Sequence, residues 1–418
     1  MRLKHFLIAL AAALPAVAQT SPQEIAENPL KAGGVYFAYP TTKTAPTAPP
    51  KGYKPFHISH YGRHGSRYLI SDRDYQWVAA LLHRADSAAA LTPLGRDVML
   101  RLDTLMIETD GRGGDLTPLG RRQHRGIAER MAADYPEVFR GNTVVDARST
   151  LVPRCILSMD AFCERLKEIN PRLRTRRDAS QKYMDTLCYH SPESNAWKNG
   201  DWTIEYDNFE RRHIHPDRLI ASLFSDSDWV AKNVRPNDLM WGLYWIAADM
   251  QNIETPGSFF ELFTPEELFD VWQCINYRFY AGDGNYPGNH GLEVDNAKNL
   301  LTNIIATADT AILSPNPSVA LRFGHDGNLI PLAAILNLKD CDLQESDPDK
   351  FYQAFADFKI APMAGNIQLI FFRSPKEKEV LVKFLHNEQE IAIPVATETF
   401  PFYPWSAVRE YYMQKIKK

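Results

Sequence analysis

The chain has 418 residues, 44% of them hydrophobic and 23% charged, enough apolar material to bury one large core or two moderate ones. A formal net charge of −4 at pH 7 argues against a nucleic-acid binder, which carries a basic excess.

The first residues read as an address. Arg2 and Lys4 precede an apolar run over residues 6–14, and Ala16-Val17-Ala18 supplies the small-x-small pattern of a cleavage site. The expected signal peptide is residues 1–18, with cleavage before Gln19. The run is too short to span a bilayer permanently, and no cysteine follows it for lipid attachment. The mature chain is therefore expected to be exported, periplasmic or extracellular, without stable membrane insertion. Cys155, Cys163, Cys188, Cys274 and Cys341 allow at most two bridges and leave one over, and none forms a CxxC pair. Cys155 and Cys163 stand too far apart along one predicted helix to bond directly, and buried free thiols are the expectation.

Residues 41–55, rich in Thr, Pro and Lys, predict an extended lead-in. A short apolar strand follows and ends in the glycine-spaced basic cluster Arg63-His64-Gly65-Ser66-Arg67. Residues 75–90 have helical spacing. Leu91-Thr-Pro-Leu-Gly-Arg96 and Leu116-Thr-Pro-Leu-Gly-Arg121 then repeat six residues, each predicting a threonine N-cap with proline in the first helical position. Val144-Val145-Asp146-Ala147 predicts a strand ending at Arg148-Ser149-Thr150, and Met159, Phe162, Leu166 and Ile169 mark the helix behind it. Such βα units place functional groups at the strand's C-terminal end, where Arg148 sits.

From 178 to 300 the strand signals thin out, and Thr264-Pro-Glu-Glu267 fits a capping box. Val319-Ala-Leu-Arg-Phe323 restores a strand, followed by Gly324-His325-Asp326-Gly327-Asn328 and a helix with apolar residues at 329, 332, 333 and 336. The tail adds three strand-like runs, 367–372, 380–385 and 391–394. The expected fold is α/β: a central mixed sheet flanked by helices, built from residues 19–177 and 301–418, with a second, mostly helical domain at 178–300.

Three loops thus stand at predicted strand ends: Arg63 to Arg67, Arg148, and His325-Asp326. Together they would supply three guanidiniums, two imidazoles and a carboxylic acid. Guanidinium is the preferred partner of tetrahedral oxyanions, because its planar fork matches their oxygens and never loses its charge. An imidazole can attack phosphorus and form a covalent intermediate, while the leaving alkoxide needs a proton, for which Asp326 is the natural donor.

Tyr61-Gly-Arg-His-Gly-Ser-Arg67 matches the RHGxR signature of the histidine acid phosphatases, and Gly324-His-Asp-Gly-Asn328 resembles their distal HD motif. Asp146-Ala-Arg-Ser-Thr150 followed by Arg154 resembles the segment that carries their third phosphate-binding arginine. The C-terminal third is most similar to the multiple inositol polyphosphate phosphatases, in Phe323-Gly-His, in Ala361-Pro-Met-Ala-Gly-Asn366 and in Asn387-Glu388 before Ile393-Pro394. Those enzymes usually carry His-Ala-Glu where this chain has His325-Asp326-Gly327, so its donor resembles that of phytases.

The resemblance implies that His64 is the nucleophile, that Arg63, Arg67, Arg148 and His325 hold the phosphate, and that Asp326 gives the proton. It also implies an α/β core with a largely helical second domain and no metal or organic cofactor. The expected activity is phosphate-ester hydrolysis by an exported phosphomonoesterase acting on phytate or another inositol polyphosphate. A broad acid phosphatase or sugar phosphatase is the alternative, and a phosphate-capturing binding protein the third reading. Asp326 argues against the last, because binding alone needs no proton donor.

Bland readings stand beside these. Arg148 as a salt-bridge partner and Asp326 as a plain helix cap are the competitors at those positions. A metal site at His57, His60, His64 and Asp326 is disfavoured, since His57 and His60 point to opposite strand faces and the arginines repel cations. The run Arg172-Leu-Arg-Thr-Arg-Arg177 reads first as a solvated edge strand and second as an extension of the positive field, with Lys182 and His190 undecided.

Overall fold

The computed structural model describes residues 20–41 and 44–417. The expected leader, residues 1–18, lies outside them. Eight strands form one sheet: β1 Lys54–Arg63, β2 Val144–Ser149, β3 Arg174–Ala179, β4 Ser318–Gly324, β5 Asn366–Arg373, β6 Leu381–His386, β7 Gln389–Glu390 and β8 Phe402–Pro404. Their order is β3-β2-β4-β1-β5-β6-β7, with β8 also on β6. β1 to β4 run parallel, and β5 to β8 continue the sheet antiparallel, so it is mixed as expected.

β1 sits at the centre and is buried along nearly its whole length, as a strand covered on both faces must be. Alternation sends its neighbours' side chains to two cores. On β5, Ile367, Leu369 and Phe371 join the larger cluster, while Ile370 and Phe372 join the smaller one. The smaller cluster is closed by the helices Pro118–Asp134 and Pro153–Ile169. The larger runs from the sheet into the helices Arg73–Ser87, Pro236–Asp249 and Pro265–Asp283. No strand lies between Ala179 and Ser318, and Thr264 and Glu267 form the expected capping box there. None of the helices among the described residues is long and apolar enough to cross a membrane.

Two of the three tail strands form. Residues 391–394 do not: the ladder stops after Gln389–Glu390, and the backbone turns away so that Ala392 accepts from the Lys339 N–H at 2.9 Å. β6 is covered instead by β8, which follows a proline-rich stretch without alternation. β3 is a solvated edge strand whose arginines are exposed, in line with the bland reading of that basic run. The five cysteines are free thiols, four of them buried.

The repeated capping motif has a positional purpose. Thr92 and Thr117 each accept the N–H three residues on, from Gly95 and Gly120. A Cβ on Gly120 would lie 2.3 Å from the Ser66 carbonyl oxygen, and one on Gly65 would lie 2.5 Å from the Gly120 carbonyl oxygen. The basic loop and this helix start therefore touch backbone to backbone. Alanine in place of glycine within a helix usually adds about 1 kcal/mol of stability. Gly120→Ala is expected to do the opposite and lose about 1–3 kcal/mol through overpacking, read from denaturant midpoints; a gain in stability would contradict the close contact.

Candidate active site

The parallel register aligns three strand ends. Arg63 pairs with Gly324 and Ser149 with Phe323, so the segments starting at His64, Thr150 and His325 leave the sheet at one edge. The open end of a parallel sheet is where such folds bind ligands.

Backbone bonds fix the first of these loops. The His64 N–H donates to Gly324 (3.0 Å), the His64 carbonyl accepts from Ala364 (2.9 Å), and the Gly65 N–H donates to Ser158 Oγ (3.1 Å). The imidazole is 2% exposed. Its Nδ1 lies 2.9 Å from the Gly65 carbonyl, which only accepts, so Nδ1 carries the proton and Nε2 keeps its lone pair. Burial and the charges of Arg63, Arg154 and Arg67 hold the ring well below the ordinary histidine range, and it is neutral.

Arg63 is fully buried. One of its terminal nitrogens donates to the carbonyls of Val35 and Ala361, and the other lies 2.8 Å from Asp326 Oδ2. Arg67 donates to the Tyr36 hydroxyl (2.8 Å) and the Tyr68 carbonyl (2.9 Å), and packs over the Tyr36 ring. His325 stands with its ring centre 5.7 Å from that of His64. Its Nε2 lies 3.2 Å from Thr150 Oγ1, and its backbone N–H donates to the Tyr61 hydroxyl at 3.3 Å. Burial foremost, with Arg154 and Arg63 adding to it against the pull of Asp326, takes the ring down to about 4.

Asp326 opens the helix Asp326–Ile335, as expected, and its side chain keeps 22% of its surface accessible. Burial alone would raise its pKa. Arg63 first, then His325, Arg67 and the Gly327 N–H, hold it below the usual aspartate range. With no anion beside it, Asp326 is a carboxylate.

Five of the six expected residues thus meet: Arg63, His64, Arg67, His325 and Asp326. Arg148 does not join them. Side chains on β2 alternate, and Val145 and Ala147 face the smaller core, which sends Asp146 and Arg148 to the opposite face. Arg148 pairs there with Asp146 at 2.7 Å and lies over the Tyr183 ring, the salt-bridge role that was its competing reading. The third guanidinium comes from Arg154, in the first turn of the helix Pro153–Ile169. Its charge reaches His64, His325 and Asp326. The same helix ties the two halves together, since Ser158 accepts from Gly65 and the Cys155 thiol donates to the Gly324 carbonyl at 3.3 Å. The available signal was the predicted helix start itself, because a cation there sits beyond the strand end and beside free N–H groups.

A cavity of about 350 Å³ leads to this cluster. Arg67, Tyr36 and Asp326 form one wall, and Lys198, Trp202, Trp245, Arg278 and Asp283 of the helical stretch form the other. Nothing in the sequence singles these out, because they come from separate segments: Arg278 and Asp283 from one helix, Trp202 and Trp245 from two others, and Lys198 from the turn after a short helix. Asp283, raised to about 6 chiefly by burial, has Lys198 3.6 Å away. His190, left undecided from the sequence, lies close enough to act on His325 electrostatically, whereas Lys182 stands with Arg148. The Nε atoms of Arg63, Arg67 and Arg154 are buried without a hydrogen-bond partner, a costly state that an oxyanion would relieve.

Comparison with known proteins bears on the fold and the family. The chicken multiple inositol polyphosphate phosphatase 1 is 23% identical over 420 residues, covering 93% of this chain and 86% of that protein. The Bifidobacterium longum multiple inositol polyphosphate phosphatase in complex with phosphate superposes with a TM-score of 0.73 at 18% identity, over 92% of this chain and 98% of that one. The phytase from D. castellii gives 0.68 at 16% identity, over 97% and 88%. The family model of the histidine phosphatase superfamily (branch 2) matches residues 62–387, most of the chain, and this protein therefore belongs to that family of phosphatases.

Proposed function

We propose that the enzyme is an exported phosphomonoesterase that hydrolyses inositol polyphosphates through a phosphohistidine on His64. One observation carries the mechanism: a neutral imidazole with a free Nε2 is ringed by guanidiniums, one of which is paired with the carboxylate of Asp326. A phosphoryl dianion would take the forks of Arg63, Arg67 and Arg154, while His325 donates from its ring.

The incoming charge competes with Asp326 for Arg63 and adds negative charge next to it. Both effects raise the carboxyl's pKa, so it takes up a proton as substrate binds. Nε2 then attacks phosphorus, the bond to the ester oxygen breaks, and the Asp326 proton passes to that oxygen. Water next attacks phosphorus as Asp326, now a carboxylate, accepts its proton, and the phosphorus–nitrogen bond breaks with its electron pair returning to Nε2. Phosphate leaves and His64 returns neutral.

Lys198, Arg278 and Arg67 in the cavity wall support a substrate with more than one phosphate, and the matched relatives are named for inositol polyphosphates and phytate. Asp283 in the same wall favours the second reading, a sugar monophosphate, because its carboxylate opposes a phosphate at that point. Phosphate release from phytate compared with glucose 1-phosphate separates the two: a clear preference for phytate is expected, and a preference for the monoester would reverse the order.

Acid quenching of the enzyme during turnover of radiolabelled substrate is expected to leave label on a histidine, absent in His64→Ala. An active enzyme that never retains label would rule out the covalent step. Arg154→Ala is expected to lower kcat/KM by about 10²–10³, the usual loss for a charge-stabilising donor, with Arg148→Ala within about threefold of wild type. The reverse ranking would return the third phosphate contact to Arg148.

A further inference from the structure

Arg148, absent from the His64 cluster, stands directly opposite Arg322 in the register of β2 and β4. Like charges placed directly opposite each other in a sheet repel. Both line a second cavity, of about 280 Å³, closed by the short helix Met184–Leu187 and the helix Lys298–Leu313. Lys182 adds a third cation to its lining and Asp146 the carboxylate.

Arg322 is 3% exposed, and its hydrogen bonds go to neutral oxygens: Ser59 Oγ (3.0 Å), Asn303 Oδ1 (2.8 Å) and Thr307 Oγ1 (2.9 Å). The carboxylate whose field reaches it is Asp146, which is already paired with Arg148 at 2.7 Å. Three cations thus line a partly enclosed space with Asp146 as its one lining carboxylate, and a second carboxylate, Asp178, stands opposite Arg148 on β3, leaving the cations in excess. A buried charge without a counter-charge is costly. The Tyr183 ring carries Arg148 at 4.9 Å and Lys182 at 5.8 Å, and its hydroxyl is anchored by donating to Asp178 at 2.8 Å. The two guanidiniums are therefore held in place before any anion arrives, and Thr186 adds a hydroxyl to the same lining, whereas that of Thr307 already donates to the carbonyls of its own helix.

We propose that this cavity is a second anion site, separate from the His64 centre, and that it takes a small tetrahedral oxyanion, inorganic phosphate. Guanidinium and ammonium donors around one space suit the oxygens of a tetrahedral anion, and inorganic phosphate is the ion a phosphatase releases. Equilibrium dialysis of the full chain with radiolabelled inorganic phosphate tests it. Two sites per chain are expected. Lys182→Glu changes an exposed side chain and should weaken one site at least tenfold while leaving competitive inhibition by phosphate unchanged; Arg148→Ala should do the same. Arg154→Ala should weaken the other site instead. A single site that Arg154→Ala removes and Lys182→Glu leaves intact would overturn the proposal, as would two sites untouched by both Lys182→Glu and Arg148→Ala.

Discussion

The buried pair between Arg63 and Asp326, 2.8 Å apart, is the interaction on which the site depends. Two such ions are expensive to take from water, and their attraction offsets that cost only where the remaining donors and acceptors are also satisfied. Here one terminal nitrogen of Arg63 is satisfied by distant segments, while its Nε is left without a partner. Arg63 holds the carbonyls of Val35 and Ala361, the His64 N–H holds Gly324, and Ala364 holds the His64 carbonyl. The N-terminal segment, β1, β4 and the approach to β5 therefore converge on one guanidinium. This joins the halves that carry the proposed nucleophile and the proposed acid, and it ties the charge of one to the occupancy of the other.

Around this pair the fold divides its work. The parallel half of the sheet aligns strand ends, and the helix Pro153–Ile169 clamps the two loops through Ser158 and Cys155 while presenting Arg154 from its first turn. The glycine contact between residues 65 and 120 lets the helix after Thr117 press on the basic loop. The helical stretch supplies the far wall of the cavity, with Lys198, Arg278 and Asp283. The proposed chemistry thus rests on short, backbone-bonded loops, and the proposed recognition on side chains of the helical stretch.

Much of this was legible in the chain. β1 and β4 show as apolar runs ending in glycine and cations, the threonine-proline caps show as a repeated hexapeptide, and the capping box at Thr264 shows by spacing alone. Each is a local signal, and local signals survive folding. Arg148 was misplaced because the sequence marks where a strand ends but not which face its last residues take. Pairing with Asp146 two positions earlier settles that face, and the third guanidinium whose charge reaches His64 is Arg154 of the next element. Residues 391–394 failed as a strand because an apolar run without a free edge to pair with has no ladder to join. Lys198, Arg278 and Asp283 were beyond reach for a different reason: only tertiary packing brings a turn residue and two positions of a distant helix to one cavity.

The central claim is that capture of a phosphate by the arginines turns Asp326 from a carboxylate into an acid. Carboxyl-labelled aspartate NMR, with Asp326→Asn to assign the signal, follows this directly by titration with and without a saturating unreactive phosphonate. The account predicts an Asp326 pKa below the ordinary aspartate range in the free enzyme and a rise above it in the complex. A value that stays low or falls further when the anion binds would contradict it.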